Sequence, residues 1–181
     1  QKQVYYFSIE FLPGRLLKSN LLNMGWYELV DSAFKEMGLN LDEIAEAERD
    51  MALGNGGLGR LASAFMDSSA SDGLPVNGNG IRYKYGLFKQ KFVDGYQVEL
   101  PNEWLNQGNV WEVARESKAV DVKFGGQVYL EEVDGVLQPV YKDPYIIRAV
   151  PYDTGIVGYK NNHVNTMRLW DAQIPASEEV K

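Results

Sequence analysis

Val4 to Ile9, "VYYFSI", is an almost unbroken apolar run and predicts a buried β-strand near the start of the chain. Leu16 to Met37 then carries Leu21, Leu22, Met24, Trp26, Leu29, Val30 and Phe34 as one helical stripe. This predicts a helix with that stripe buried and a break near Met24-Gly25. Gly38 reads as its C-cap, and Asn40 as the N-cap of a shorter helix over Leu41 to Arg49. Glu43, Glu46 and Glu48 crowd that short helix and Asp50 follows it, the pattern of a solvated acidic face. A further helix is written into Leu58, Leu61, Ala62, Phe65, Met66 and Ser69, which fall on one face, with Gly73 and Pro75 ending it.

From residue 76 the period changes from helical to alternating. Ile81, Tyr83 and Tyr85 alternate as in a strand, with two Asn-Gly pairs before them as bends. "LFKQKFVDGYQVEL" predicts a hairpin turning at Asp94-Gly95. Trp104 and Trp111 bracket a polar segment. Then "AVDVKF", "QVYLEEV", "LQPVYK" and "YIIRAVPY" read as strands, joined at Gly125-Gly126, Asp134-Gly135 and Asp143-Pro144, and Met167 to Trp170 as one more. The fold class is α/β, with a helical part over about 1–75 and a β-rich part over about 76–181. The two are read as one incomplete domain.

Composition narrows the chemistry. At 181 residues, the chain is long enough to bury a sizeable core. Its net charge of −7 and the lack of a basic stripe argue against a nucleic-acid partner. Without cysteine there is no disulfide frame and no thiolate metal site, and no H-E-x-x-H or D-x-D motif suggests another metal. No apolar run approaches 18 residues, so no membrane helix is expected. The composition fits the cytoplasm. The single histidine, His163, sits in a polar loop with no G-x-S-x-G elsewhere, and reads as structural or exposed. Residue 1 is Gln and the first strand follows almost at once, so the chain is expected to be a piece of a longer protein.

One stretch stands apart: Gly54-Asn55-Gly56-Gly57-Leu58-Gly59-Arg60. Four glycines in six positions allow left-handed backbone and close approach by a ligand. A helix begins directly after, near Leu58, so several N–H groups and a positive dipole end are expected to face the loop, as suits an anion. The G-x-G-x-x-G match is weak for a dinucleotide, because an acidic helical segment precedes it instead of a strand. No G-x-x-x-x-G-K-[ST] is present. The alternative is a tight turn that lets a helix pack closely. Arg60, in the first helical turn, opposes the dipole and is expected to pair with an acid of this chain, Glu10 being one candidate, or with a phosphate. An exposed, unpaired side chain is the rival reading. Glu10 and Arg15 flank a Pro-Gly turn at the end of the first strand, where ligand groups of α/β sheets often gather.

"YYFSIEF--GR", "ALGNGGLGRLA", "GIRYKYGLF-Q", "VWE-AR" and "NN-VNTMRLW" follow one another in the order and spacing of the α-glucan phosphorylases. The resemblance covers nearly all of the chain and is greatest to bacterial members. It implies part of the N-terminal lobe of a two-lobed, GT-B-like glycosyltransferase. The parent would pass the terminal α-1,4-linked glucosyl unit of glycogen, starch or maltodextrin to inorganic phosphate, giving α-glucose 1-phosphate. It implies pyridoxal 5′-phosphate, used through its phosphate group, with the Schiff-base lysine in the other lobe and none bound covalently here. It also implies a cytoplasmic homodimer. The catalytic-side residues would be Asn55, Gly56, Gly57, Leu58, Gly59 and Arg60, with Glu10 at the cleft edge. Leu12, Gly56 and Gly57 would lie beside the cofactor. Animal members carry tyrosine at the position of Leu12, where bacterial and plant members commonly have leucine. Asn79 replaces an aromatic residue of many relatives. A non-catalytic carbohydrate-binding or interaction module is the alternative, and a dinucleotide oxidoreductase a distant third.

Overall fold

The computed structural model describes residues 2–175. In chain order the elements are β1 (Val4–Phe7), α1 (Leu17–Met24), α2 (Tyr27–Glu36), α3 (Leu41–Glu46), α4 (Gly57–Ser71) and β2 (Val76–Ile81). The hairpin of β3 (Lys89–Val93) and β4 (Tyr96–Leu100) follows, then β5 (Glu112–Ala114), β6 (Val120–Phe124), β7 (Gln127–Val133), β8 (Val136–Lys142), β9 (Tyr145–Val157) and β10 (Val164–Gln173). A six-stranded mixed sheet forms the frame, in the order β1-β2-β10-β9-β5, with β6 also on β9. β1, β2 and β10 are parallel, whereas β9 runs antiparallel to β10, β5 and β6. At 13 residues β9 is long enough to pair β6 through its first half and β5 through its second. The chain is thus mixed α/β, as its change of period predicted.

Among the described residues the four α-helices all lie in the crossover from β1 to β2, because parallel neighbours cannot be joined by a tight turn. α4 crosses one face of the sheet over β2, β10 and β9. Ala62, Met66 and Ala70 form its buried contact, close to fully excluded from water. Phe11, Leu53, Met167, Leu169 and Trp104 complete the core beneath it. The buried face is rotated from the predicted one: Leu58, Leu61 and Phe65 are exposed, and Gly59 and Ser63 are buried. Apart from Met66, small residues lie against the sheet because they let the helix axis come close, and Leu58, Leu61 and Phe65 point away.

Several expectations need correction. The two Asn-Gly pairs are not bends but lie within β2, where Gly78 and Gly80 face Phe11. A Cβ on Gly78 would stand 3.2 Å from the Met66 sulfur and one on Gly80 only 2.8 Å from the Ser8 carbonyl oxygen. Glycine there serves close packing, and the strand ends at Ile81, short of Tyr83 and Tyr85. β1 is an edge strand with Tyr5 and Phe7 exposed, not a buried one. The first helix breaks where expected, at a left-handed Gly25, but its stripe is buried only at Leu21 and partly at Val30 and Phe34; Leu22, Met24, Trp26 and Leu29 are exposed. Asn40 does cap α3, accepting from the N–H groups of Asp42 and Glu43. Asp94-Gly95 turns the β3–β4 hairpin with both residues at positive φ. His163 is structural: its Nε2 lies 3.2 Å from the Leu74 carbonyl and 2.9 Å from Asn165 Oδ1, so Nε2 carries the proton.

Candidate functional site

The segment after β1 and the glycine loop lie side by side. Phe11 N–H donates to the Leu53 carbonyl (3.3 Å), and Leu12 N–H to that of Gly59 (3.0 Å). Asn55 N–H donates to Glu10 Oε2 (3.2 Å). Glu10, Leu12 and the loop are therefore brought together as the sequence suggested. Glu10 also borders a cleft of about 190 Å³ with Leu53, Gly54, Tyr83, Tyr85 and Leu87. From the sequence Tyr83 reads only as a strand residue. Its hydroxyl donates to the Ile9 carbonyl (2.7 Å), which ties this wall to the end of β1.

The four loop glycines divide into two kinds. Gly54 and Gly59 are packing glycines, since a Cβ on either would lie 3.1 to 3.4 Å from Glu10 and Leu12. Gly56 and Gly57 are open, with nothing within 4 Å of a Cβ among the described residues. None of the four has a positive φ, so the left-handed freedom expected of them is not used. What the glycines provide is close approach, inward at Gly54 and Gly59 and outward at Gly56 and Gly57.

α4 starts at Gly57, one residue before the predicted start, and Gly56 at its N-cap offers no side-chain acceptor. Arg60 N–H closes the first helical bond, onto Gly56. The preceding N–H groups of Gly57, Leu58 and Gly59 have no place in the helical ladder. They lie at the positive dipole end of α4, next to the open positions Gly56 and Gly57. Asn55 and Leu58 are exposed on the same loop.

Among the described residues Arg60 does not pair with an acid. Its Nη1 donates to the carbonyls of Leu12 (3.3 Å) and Pro13 (3.5 Å), and the residue is exposed. Glu10 accepts from Asn55 N–H instead. Arg60 thus stitches the loop helix to the segment after β1 through carbonyl oxygens, whose partial negative charge offsets the unfavourable dipole end at little desolvation cost.

The reading of Glu48 as a solvated acid also fails. Its carboxylate accepts from Leu16 N–H (2.7 Å), Leu17 N–H (3.0 Å) and Trp111 Nε1 (2.8 Å). Nothing in the local sequence separates Glu48 from Glu43 and Glu46. Its partners are 31 to 63 residues away, and only the fold brings them together.

A family model described as carbohydrate phosphorylase matches residues 34–181. The chain is 56% identical over 172 residues to the glycogen phosphorylase of Bacillus subtilis (strain 168), covering 95% of this chain and 22% of that protein. It is 48% identical over 180 residues to the brain form of Mus musculus, covering 99% and 21%, and 49% over 174 to that of Homo sapiens, covering 96% and 20%. The chain therefore spans about a fifth of the length of these relatives.

Proposed function

The chain belongs to the carbohydrate phosphorylase family, and on that premise we propose that it is part of the N-terminal lobe of a two-lobed, GT-B-like α-glucan phosphorylase of bacterial type. The whole protein reversibly transfers the terminal α-1,4-linked glucosyl unit of glycogen, starch or maltodextrin to inorganic phosphate, as a cytoplasmic homodimer. One observation supports a role for the glycine loop in that reaction. Gly56 and Gly57 leave the uncapped start of a 15-residue helix open beside Glu10. Unpaired N–H donors and the dipole favour a phosphate there by roughly 0.3 to 2 kcal/mol.

The residues present also fit a cofactor that carries a phosphate group. Gly56 and Gly57 admit it without a Cβ in the way, and half-buried Leu12, packed beside Gly54 and Gly59, supplies an apolar neighbour. Pyridoxal 5′-phosphate, when bound, supplies a phosphate group for proton transfer. The work assigned to this chain is positional. Asn55 to Gly59 orient anionic oxygens, Glu10 holds the loop through Asn55 N–H, and Arg60 fixes the helix start against Leu12 and Pro13.

The test is release of glucose 1-phosphate from maltodextrin and phosphate by the full-length holoprotein. Activity is expected there and none from residues 1–181 alone. An inactive, fully loaded full-length protein would refute the reading. Gly57→Val is expected to lower turnover about 10- to 100-fold by blocking close approach. Unchanged turnover would return the loop to a packing turn.

A further inference from the structure

We propose that Glu48 is a positioning residue for the glycine loop, acting through the segment that carries Glu10 and Leu12. The inference rests on the proposed role of that loop. Residues 10–16 and 48–60 form a clasp of two segments held at both ends. At one end Phe11 N–H donates to Leu53, Leu12 N–H to Gly59, and Arg60 to Leu12 and Pro13. At the other end the Glu48 carboxylate takes both N–H groups of Leu16 and Leu17, at the start of α1. Without Glu48 the far end of residues 10–16 keeps only the long, solvent-exposed ion pair of Arg15 with Asp50 (4.0 Å) to residues 48–53, and the loop's partner segment can slide.

The third bond gives the clasp its reference point. Trp111 Nε1 donates to Glu48 Oε1, the same oxygen that accepts from Leu16 N–H. The Trp111 side chain packs on the hydrophobic core, and the next residue opens β5, which pairs β9 in the main sheet. Glu48 thus registers the clasp against the frame. A carboxylate suits this place, because it has only acceptors and meets only donors. An amide of the same shape would turn its NH₂ toward an N–H or keep a single acceptor oxygen for three donors.

The experiment uses the full-length holoprotein with Glu48→Gln, and Trp111→Phe as a milder variant that keeps a ring but removes one donor. Two readouts are taken: KM for phosphate against kcat, and amide hydrogen exchange. Glu48→Gln is expected to raise the phosphate KM about tenfold with a smaller change in kcat, since a displaced loop weakens anion placement. Exchange should quicken at the amides of Phe11, Leu12 and Arg60, and stay unchanged at Met167 in β10. Trp111→Phe should move both readouts in the same direction by less. The proposal is overturned if Glu48→Gln leaves the KM and the clasp amides at wild-type values. It is also overturned if Met167 quickens as much as Leu12, because the residue would then only stabilise the whole domain. If the wild-type protein shows no phosphorolysis, the functional reading fails, and the exchange pattern still decides whether Glu48 holds the clasp.

Discussion

Replacing Gly59 with alanine sets two effects of known sign against each other. Within a helix, alanine is favoured over glycine by roughly 0.5–1 kcal/mol. At Gly59 the φ is not positive, so alanine's backbone is not strained. The added Cβ, however, would stand 3.1 Å from Glu10 Cβ, 3.2 Å from Glu10 Oε2 and 3.3 Å from Leu12 Cβ. Relief by backing away is opposed by the Leu12 N–H bond to Gly59 itself (3.0 Å) and by Asn55 N–H on the same Glu10. Overpacking of this kind costs about 1–3 kcal/mol. Set against each other, the two ranges leave a loss centred on about 1 kcal/mol, within roughly 0–2.5 kcal/mol. Gly57→Ala is the control, because it enters the same helix turn and meets nothing within 4 Å among the described residues. It should leave stability unchanged or raise it slightly. Urea unfolding of the 181-residue chain measures both, read as the midpoint shift at constant m. If Gly59→Ala proves as stable as wild type, the clasp is not tight there, and the division of the loop into inward and outward glycines is wrong.

Asp153 predicts a pH dependence. Its hydrogen bond from Arg168 (2.7 Å), with Arg115 nearby, holds its carboxyl below the ordinary range against the opposing effect of burial. A depressed folded pKa adds stability above the unfolded carboxylate value and loses it as pH falls from roughly 4 through the folded value. Asp153→Asn should cost about 1.5–3 kcal/mol at neutral pH and flatten that acid limb; unfolding midpoints between acid and neutral pH that fall in parallel with wild type would refute it. Ser63→Ala tests the opposite case. The Ser63 hydroxyl is buried without a partner among the described residues, so its removal should be neutral or stabilise by up to about 1 kcal/mol. A clear loss in urea unfolding would mean that the hydroxyl is bonded after all.

Periodicity separated the helical part of this chain from its strands, though it misplaced β2, because the 3.6 and 2 repeats are local properties of the backbone. It placed the break at Gly25, the Asn40 cap and the Asp94-Gly95 turn for the same reason: each depends on residues within one turn of itself. The motif order made the family legible before any contact was known. Burial was not legible in the same way. Tyr5, Phe7, Trp26 and Leu29 have the side chains of a core and yet are exposed, since burial depends on what another element places opposite. The glycines of β2 looked like turn residues, and only the approach of Phe11 and α4 explains them as strand. Charge was least legible of all. Glu48 is one acid among several in the sequence, and Arg60 carries the charge that an acid would be expected to meet. The fold gave Glu48 three N–H donors from two distant segments and gave Arg60 two carbonyls, because a polar side chain takes the partner that tertiary packing brings within about 3 Å.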